Sequence, residues 1–275
     1  MIKKIIILTG DPNSINSEII FKCWKKIDIR LKKKIYFVSN FNLLDKQFKK
    51  LKYKINLKRV KKIEETVLNS DFKILDVNLN FKRPFEVTNK ASSSFVTNSL
   101  ILGHKLAKSK NILGLINCPI DKKLLRQKKI GVTEFLASKC NIKDNSEVML
   151  IQNKKFSVSP ITTHIDVRDI SKKINSTIII KKIKTIDFFF KKVFKKKPKI
   201  GVLGLNPHNA ELRKSSEEKK IIIPALKKLK KNRIKIYGPL VSDTLFIKDY
   251  KNFDVIVGMY HDQVLTPFKT LYKFD

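Results

Sequence analysis

Glycine is scarce in this chain, eight in 275 residues, and no G-x-G-x-x-G occurs anywhere, which excludes the Rossmann type of phosphate-binding turn. The three cysteines, Cys23, Cys118 and Cys140, are odd in number and widely spaced, with no C-x-x-C pair. That excludes a disulfide framework and a thiolate zinc site, and they read as small hydrophobes in a reducing compartment. No apolar run approaches the ~18 residues needed to cross a bilayer. The opening Met1–Leu8 stretch lacks a small-residue cleavage site and runs into Thr9-Gly10-Asp11-Pro12, a strand followed by a turn rather than a signal peptide. A cytoplasmic protein with no membrane partner is expected.

Acidic residues are the remaining shortage: 24 Asp and Glu stand against 60 Lys and Arg, a net charge of +36. Such a charge points first to nucleic acid. The lysines, however, are spread over the whole chain (Lys32-Lys33-Lys34, Lys61-Lys62, Lys181-Lys182, Lys195-Lys196-Lys197) and read as solvated faces. Aromatic residues do not interleave with them as a base-stacking platform requires, so no specific nucleic-acid partner is expected. A small anionic substrate suits the same field.

What is present is an alternation of short apolar runs with longer amphipathic stretches, the pattern of α/β architecture. Strands are predicted at Lys4–Leu8, Lys34–Val38, Ile112–Ile116, Glu147–Ile151, Ser157–Ile161, Lys199–Leu203 and Asp254–Gly258. Helices are predicted at Ser17–Ile27, Ser92–Ser109, Asp169–Phe194 with an interruption, and Glu217–Lys231 with a distortion at Pro224. Pro119 and Gly131 bracket a basic loop, so a domain change is placed near 120–135.

Only four histidines occur, and three of them directly follow strand-like segments: His164, His208 and His261. Ligand sites in α/β sheets gather beyond the carboxyl ends of strands, where three imidazoles could share one divalent ion and leave a position for substrate. Independent loop or core histidines are the alternative. Nearby stand Thr162, Thr163, Arg168, Asp169, Asn206, Glu211, Asp243, Asp262 and Gln263; a carboxylate beside a ligating histidine can orient its ring. Lys122 and Lys269 follow proline-containing loops and could supply point charges to a phosphate. His104 lies in an amphipathic helical stretch and reads as a surface or packing residue.

Taken together, the segments resemble the 4-hydroxythreonine-4-phosphate dehydrogenase family of pyridoxine synthesis. The matching stretches run in order along the chain. They are Gly10-Asp11-Pro12, Asn117–Lys122, Gly131–Phe135, Thr162-Thr163-His164 with Arg168-Asp169-Ile170, and Gly204–His208 with Glu211. Gly238–Phe246 and Met259–Gln263 complete the set. The N-P-H, G-P-L-x-x-D-T-L-F and Y-H-D-Q set is specific in combination.

The resemblance implies a homodimer of two-domain α/β subunits, similar in fold to the isocitrate and isopropylmalate dehydrogenases, with an active site completed across the interface. It implies a first domain of residues 1–128 plus 239–275 and a second of 129–238 carrying dimer-interface and metal-site elements. It implies NAD as hydride acceptor and one divalent metal held by His164, His208 and His261. Zn, Co or Mn suits three imidazoles, whereas Mg needs more oxygen ligands. The implied reaction oxidises the C3 hydroxyl of 4-phosphooxy-L-threonine and releases CO2, giving 3-amino-2-oxopropyl phosphate for pyridoxal phosphate synthesis. Thr133 and Lys269 match substrate-contacting positions, with Lys269 on the phosphate. Asp243 and Asp262 match proton-handling or ring-supporting positions.

Departures from the family pattern are specific. Val132 replaces a histidine and Asn117-Cys118 replaces a Thr/Ser-Gly pair. Asn13-Ser14-Ile15-Asn16 replaces a glycine-bearing turn, and Asn209-Ala210 replaces Ala-Gly. The family also continues past the last residue here, with an Asn, an Arg and a D-H-G segment. The expectation is therefore a C-terminally truncated member with part of its NAD site missing, an open sheet edge and little dehydrogenase activity of its own. Two rival readings are a related threonate or erythronate phosphate dehydrogenase, and an inactive remnant that binds metal or nucleic acid.

Overall fold

The computed structural model describes residues 3–63, 71–125, 131–140, 142, 146–154 and 156–273. It divides into two compact units, Met1–Asn141 and Ile142–Asp275. In the first, strands β1 (Lys4–Leu8), β2 (Ile35–Ser39), β3 (Leu57–Val60), β4 (Phe72–Asp76) and β5 (Ile112–Asn117) form one parallel sheet in the order β3-β4-β2-β1-β5. All five residues of β2 are buried, as a central parallel strand covered on both faces requires.

Alternate residues of these strands feed two cores, because successive side chains point to opposite faces. Ile6, Leu8, Tyr36 and Val38 pack with Phe95, Val96 and Leu100 of the helix Asn89–Ala107. Ile35, Phe37 and Phe72 face the other way, onto Ile20 and Trp24 of the helix Asn16–Lys26 and Leu44 and Phe48 of the helix Phe41–Lys50. Phe37 and Phe72 stack at 3.6 Å between ring centroids, with Trp24 edge-on to both. Asn40 and Thr88 cap two of these helices through their side chains.

The second unit repeats the plan. Strands β6 (Ile151–Gln152), β7 (Ser157–Pro160), β8 (Ile200–Leu203), β9 (Ile236–Leu240) and β10 (Val255–Gly258) lie in the order β6-β7-β10-β8-β9, parallel except for β6. Val255 and Val257 of β10 join the core with Ile179, Ile183 and Ile186 of the helix Ser176–Phe189 and Leu226 and Leu229 of the helix Ile223–Lys231. Ile256 faces Val264, Leu265 and Phe268 of the helix His261–Tyr272.

Three expectations are corrected. Residues 239–275 do not join the first unit: β10 hydrogen-bonds between β7 and β8, and β9 pairs with β8, so this segment is integral to the second sheet. The division also falls at 141/142, because Val132, Phe135 and Leu136 of the helix Val132–Lys139 pack on the first unit's core. Within the predicted loop near 120–135, residues 126–130 lie outside the described ones. The strand expected at Glu147–Ile151 shrinks to Ile151–Gln152.

The two interrupted helices behave as their sequences require. Asn175 adopts an extended backbone and caps the helix Ser176–Phe189 by accepting from Ile178 N–H, which ends the preceding Ile170–Lys173 turn. Pro224 lacks a backbone N–H, and the turn before it, Glu218–Ile222, widens into a π-helix.

Candidate active site

Three neighbouring parallel strands, β7, β10 and β8, end at one edge of the second sheet, with Gly258 in register with Pro160 and Val257 with Val202. His164, His261 and His208 each follow one of these ends, at the edge where α/β folds gather their ligands. The rings of His164 and His261 stand 5.7 Å apart between centroids. His261 opens its helix and is half-buried, whereas His164 and His208 are exposed. Among the described residues, no three His, Cys, Asp or Glu side chains are close enough to hold an ion together. The histidine pair therefore adjoins, and His208 stands apart on its own turn.

That turn is unusual. His208, Asn209, Ala210, Glu211 and Leu212 all have positive φ, between 48° and 58°. A run of left-handed non-glycine residues is strained, and it persists only where the surroundings hold it. Glu218 supplies the hold. Fully buried, its carboxylate accepts from the backbone N–H groups of Leu205 and Asn206, both at 2.8 Å, and from the Asn206 side chain. Burial alone would push its pKa up, but these donors outweigh burial and hold it below the usual carboxylate range. Gly204 is required beneath: a Cβ there would meet Asn209 Oδ1 at 2.0 Å and Glu218 Oε1 at 3.2 Å. Asn209 in turn donates to Pro239 O at 3.1 Å.

A second layer fixes the other two strand ends. Thr162 donates to Met259 O at 2.7 Å, while Gln263 accepts from Met259 N–H and donates to Gly204 O, each at 2.7 Å. Gln263 and Thr162 thus tie the ends of β7, β10 and β8 together. Asp262 Oδ1 lies 2.6 Å from His261 Nδ1, so the expected ring-supporting contact exists and Nε2 is the nitrogen that remains for a ligand.

The other expected site residues are distributed as follows. Asp243 is exposed in the short helix Ser242–Leu245, and Lys269 is exposed two turns along the helix that His261 begins. Thr133 is exposed in the first unit, in the helix Val132–Lys139. Its neighbour Val132, at the family's histidine position, packs against that unit's apolar core. Lys122 is exposed in a 3-10 turn capped by Asp121. Arg168 pairs with Asp166 at 3.2 Å. Glu218 was not anticipated, although a buried acid following G-L-N-P-H by ten residues is the one signal that could have marked it.

The first unit presents an edge of its own. Gly10, at φ +73°, lets the turn after β1 pass so close to β5 that a Cβ would meet Pro119 O at 2.5 Å. Asn16 Nδ2 bonds Thr9 O at 2.9 Å and Pro119 O at 2.8 Å. Asn13 exchanges two bonds with the backbone of Val87, and Gln47 reaches the carbonyls of Pro12 and Pro84. The glycines absent from this turn are thus replaced by amides that knit it shut. His104, the fourth histidine, sits on the helix Asn89–Ala107 with Nε2 at 3.2 Å from Cys140 Sγ.

Comparison with known proteins gives the chain its relatives. Residues 30–275 match the family described as pyridoxal phosphate biosynthetic protein PdxA. The 4-hydroxythreonine-4-phosphate dehydrogenase of Sulfurihydrogenibium sp. (strain YO3AOP1) is 36% identical over 98% of this chain and 83% of its own length. That of Aquifex aeolicus (strain VF5) is 36% identical over 100% of this chain and 85% of its own. The crystal structure of 4-hydroxythreonine-4-phosphate dehydrogenase from Klebsiella pneumoniae superposes with a TM-score of 0.86 at 27% identity, covering 99% of this chain and 86% of that one. Family match, identity across almost the whole chain and fold agree: this chain belongs to the pyridoxal phosphate biosynthetic protein PdxA family.

Proposed function

We propose that the chain catalyses the NAD-dependent oxidation of 4-phosphooxy-L-threonine at its C3 hydroxyl. Decarboxylation to 3-amino-2-oxopropyl phosphate follows, in cytoplasmic pyridoxal phosphate synthesis. The observation that carries this reading is the delivery of His164, His261 and His208 to one edge by three adjacent parallel strands, with the first two rings adjoining. The reading includes a homodimer of the isocitrate and isopropylmalate dehydrogenase kind.

The donor set fits a divalent ion in chemistry: three neutral imidazoles suit Zn, Co or Mn. His164, His208 and His261 would hold such an ion, which would supply Lewis-acid chemistry for the oxidation and the decarboxylation. NAD would supply the hydride acceptor. Asp262 holds the His261 ring through Nδ1 and directs Nε2 outward. Lys269 provides the point charge for the substrate phosphate and Thr133 a hydroxyl contact to substrate. Asp243, with Asp262, handles the protons released. Glu218 keeps the strained His208 turn in place without touching substrate.

The test is NADH formation by the purified chain with 4-phosphooxy-L-threonine, NAD and added divalent metal, beside His208→Ala and beside threonate and erythronate phosphates. Metal-dependent turnover that falls at least about a hundredfold in His208→Ala is expected. Faster turnover of threonate or erythronate phosphate would move the reading to that related dehydrogenase. Metal binding without turnover of any of them would reduce the chain to a metal-binding member.

A further inference from the structure

The segment Asp187–Lys197 reads Asp-Phe-Phe-Phe-Lys-Lys-Val-Phe-Lys-Lys-Lys, and here aromatic and basic residues do interleave, contrary to the expectation from the chain as a whole. Ile179, Ile183, Ile186 and Phe190 recur at helical spacing and are buried in the second unit's core. Residues between them are forced onto the outer face. Phe188 is 62% exposed, Phe189 38%, Val193 53% and Phe194 42%. Scattered apolar side chains on a surface need no explanation, but four exposed within seven residues, two of them in ring contact, are a concentration of the kind that marks an interaction surface.

The patch is built as a knob. The helix Ser176–Phe189 passes into the π-helical turn Phe190–Phe194, which Lys195 ends at φ +55°. Phe194 packs edge-to-face on Phe189 at 5.5 Å and on Phe190 at 5.1 Å, so the exposed rings rest on a buried anchor. Lys192 Nζ lies 5.5 Å over the Phe188 ring. Lys191, Lys192, Lys195, Lys196 and Lys197 share this short segment with the rings; Asp187 pairs with Lys191, and Asp254 with Lys196.

We propose that this aromatic knob with its lysine collar is a peripheral docking site for an anionic phospholipid surface. Apolar rings project where acyl chains begin, and lysines stand level with phosphate headgroups, the division of labour that interfacial segments use. Three features favour lipid over other occupants. The rings engage one another edge-to-face and Lys192 covers Phe188, which leaves few open ring faces for bases to stack on. A second copy would bring an identical lysine collar against this one. No helix among the described residues is long and apolar enough to cross a membrane, so the contact is at the surface. The inference stands on this segment alone and does not depend on the dehydrogenase reading.

The experiment is co-sedimentation of the full chain with phosphatidylcholine vesicles, with and without about one third phosphatidylglycerol. It is repeated for a Phe188→Ser/Phe194→Ser double variant, with a Phe194→Trp variant read by quenching from brominated acyl chains. Expected are binding to the anionic vesicles only, weakening with salt, a loss of roughly tenfold in the double variant, and quenching of the new tryptophan. Equal binding by wild type and double variant, without quenching, would overturn the proposal, because the net charge alone would then account for adsorption. So would absence of vesicle binding accompanied by phenylalanine-dependent binding to polyuridylate, or by phenylalanine-dependent self-association in sedimentation velocity. Unchanged thermal unfolding of the double variant checks that its loss is not misfolding.

Discussion

The carboxyl edges of the two sheets are built from similar residue types and treat them in opposite ways. In the first unit Asn13, Asn16 and Gln47 donate their amide N–H groups to backbone carbonyls of the same edge. In the second, Thr162, Asn206, Asn209 and Gln263 form an inner layer of hydrogen bonds, and three histidines stand outside it, with His261 against Asp262 and beside the His164 ring. A polar group that folding does not satisfy is one that a ligand can satisfy. The contrast is in line with the site proposed at the second edge.

The comparison breaks most easily at the first edge. Gly10→Ala places a methyl group against Pro119 O and Asn16 Nδ2 at a positive φ that alanine resists, and should destabilise the first unit by about 3 kcal/mol. Trp24 is the sole tryptophan and is buried in this unit, so its fluorescence reports the first unit alone. The Trp24 transition should shift to lower temperature in Gly10→Ala. If it does not move, the close approach after β1 is not what holds that edge.

Glu218→Gln attacks the second edge next, at about 2 kcal/mol, because an amide cannot accept as strongly from two backbone N–H groups. The Glu218 pKa is depressed in the fold, so its contribution is present above the unfolded value and is lost as pH falls through the folded one. Stability monitored by circular dichroism should therefore decline on acidification below about 4.5 in the wild type, and less steeply in Glu218→Gln. Parallel slopes in the two proteins would show that other carboxylates govern the acid limb.

Ala210→Gly tests the strained turn from the stabilising side. At φ +51° alanine carries a cost that glycine avoids, partly offset by glycine's greater freedom in the unfolded chain, so a gain of about 1 kcal/mol is expected. The same position is one where the family pattern places glycine. A loss of stability would mean that the buried methyl group contributes more by packing than the backbone loses by strain.

The strand ends that carry the histidines were legible in the sequence because fully buried parallel strands are short apolar runs bounded by Gly, Pro or Asn. Lys4–Leu8 was recovered to the residue, and Asp254–Gly258 to within one. The strands Leu57–Val60 and Phe72–Asp76 were not, because Lys58, Arg59 and Lys73 interrupt their apolar pattern, and Ile236–Leu240 contains Gly238-Pro239. The helix His261–Tyr272 was hidden by Pro267, which the chain tolerates inside it. The pairing of His164 with His261 was foreseeable from strand ends, but the isolation of His208 depends on a left-handed turn that no local propensity predicts. The association of β9 and β10 with β7 and β8 is a property of long-range pairing, which periodicity cannot supply.

The smallest expected effect on folding sharpens the comparison most. Asp262 is 77% exposed on its side chain, and removing its charge should change stability by less than about 0.5 kcal/mol. Its oxygen nevertheless sets which nitrogen of His261 faces outward. Asp262→Asn should therefore leave both unfolding transitions in place while weakening binding of added zinc, followed by titration calorimetry, about tenfold. The corresponding change in the first unit, Asn13→Asp, should disturb the reciprocal bonds to Val87 and leave zinc affinity untouched. Equal zinc binding by wild type and Asp262→Asn would mean that His261 is oriented by the start of its helix rather than by the carboxylate beside it.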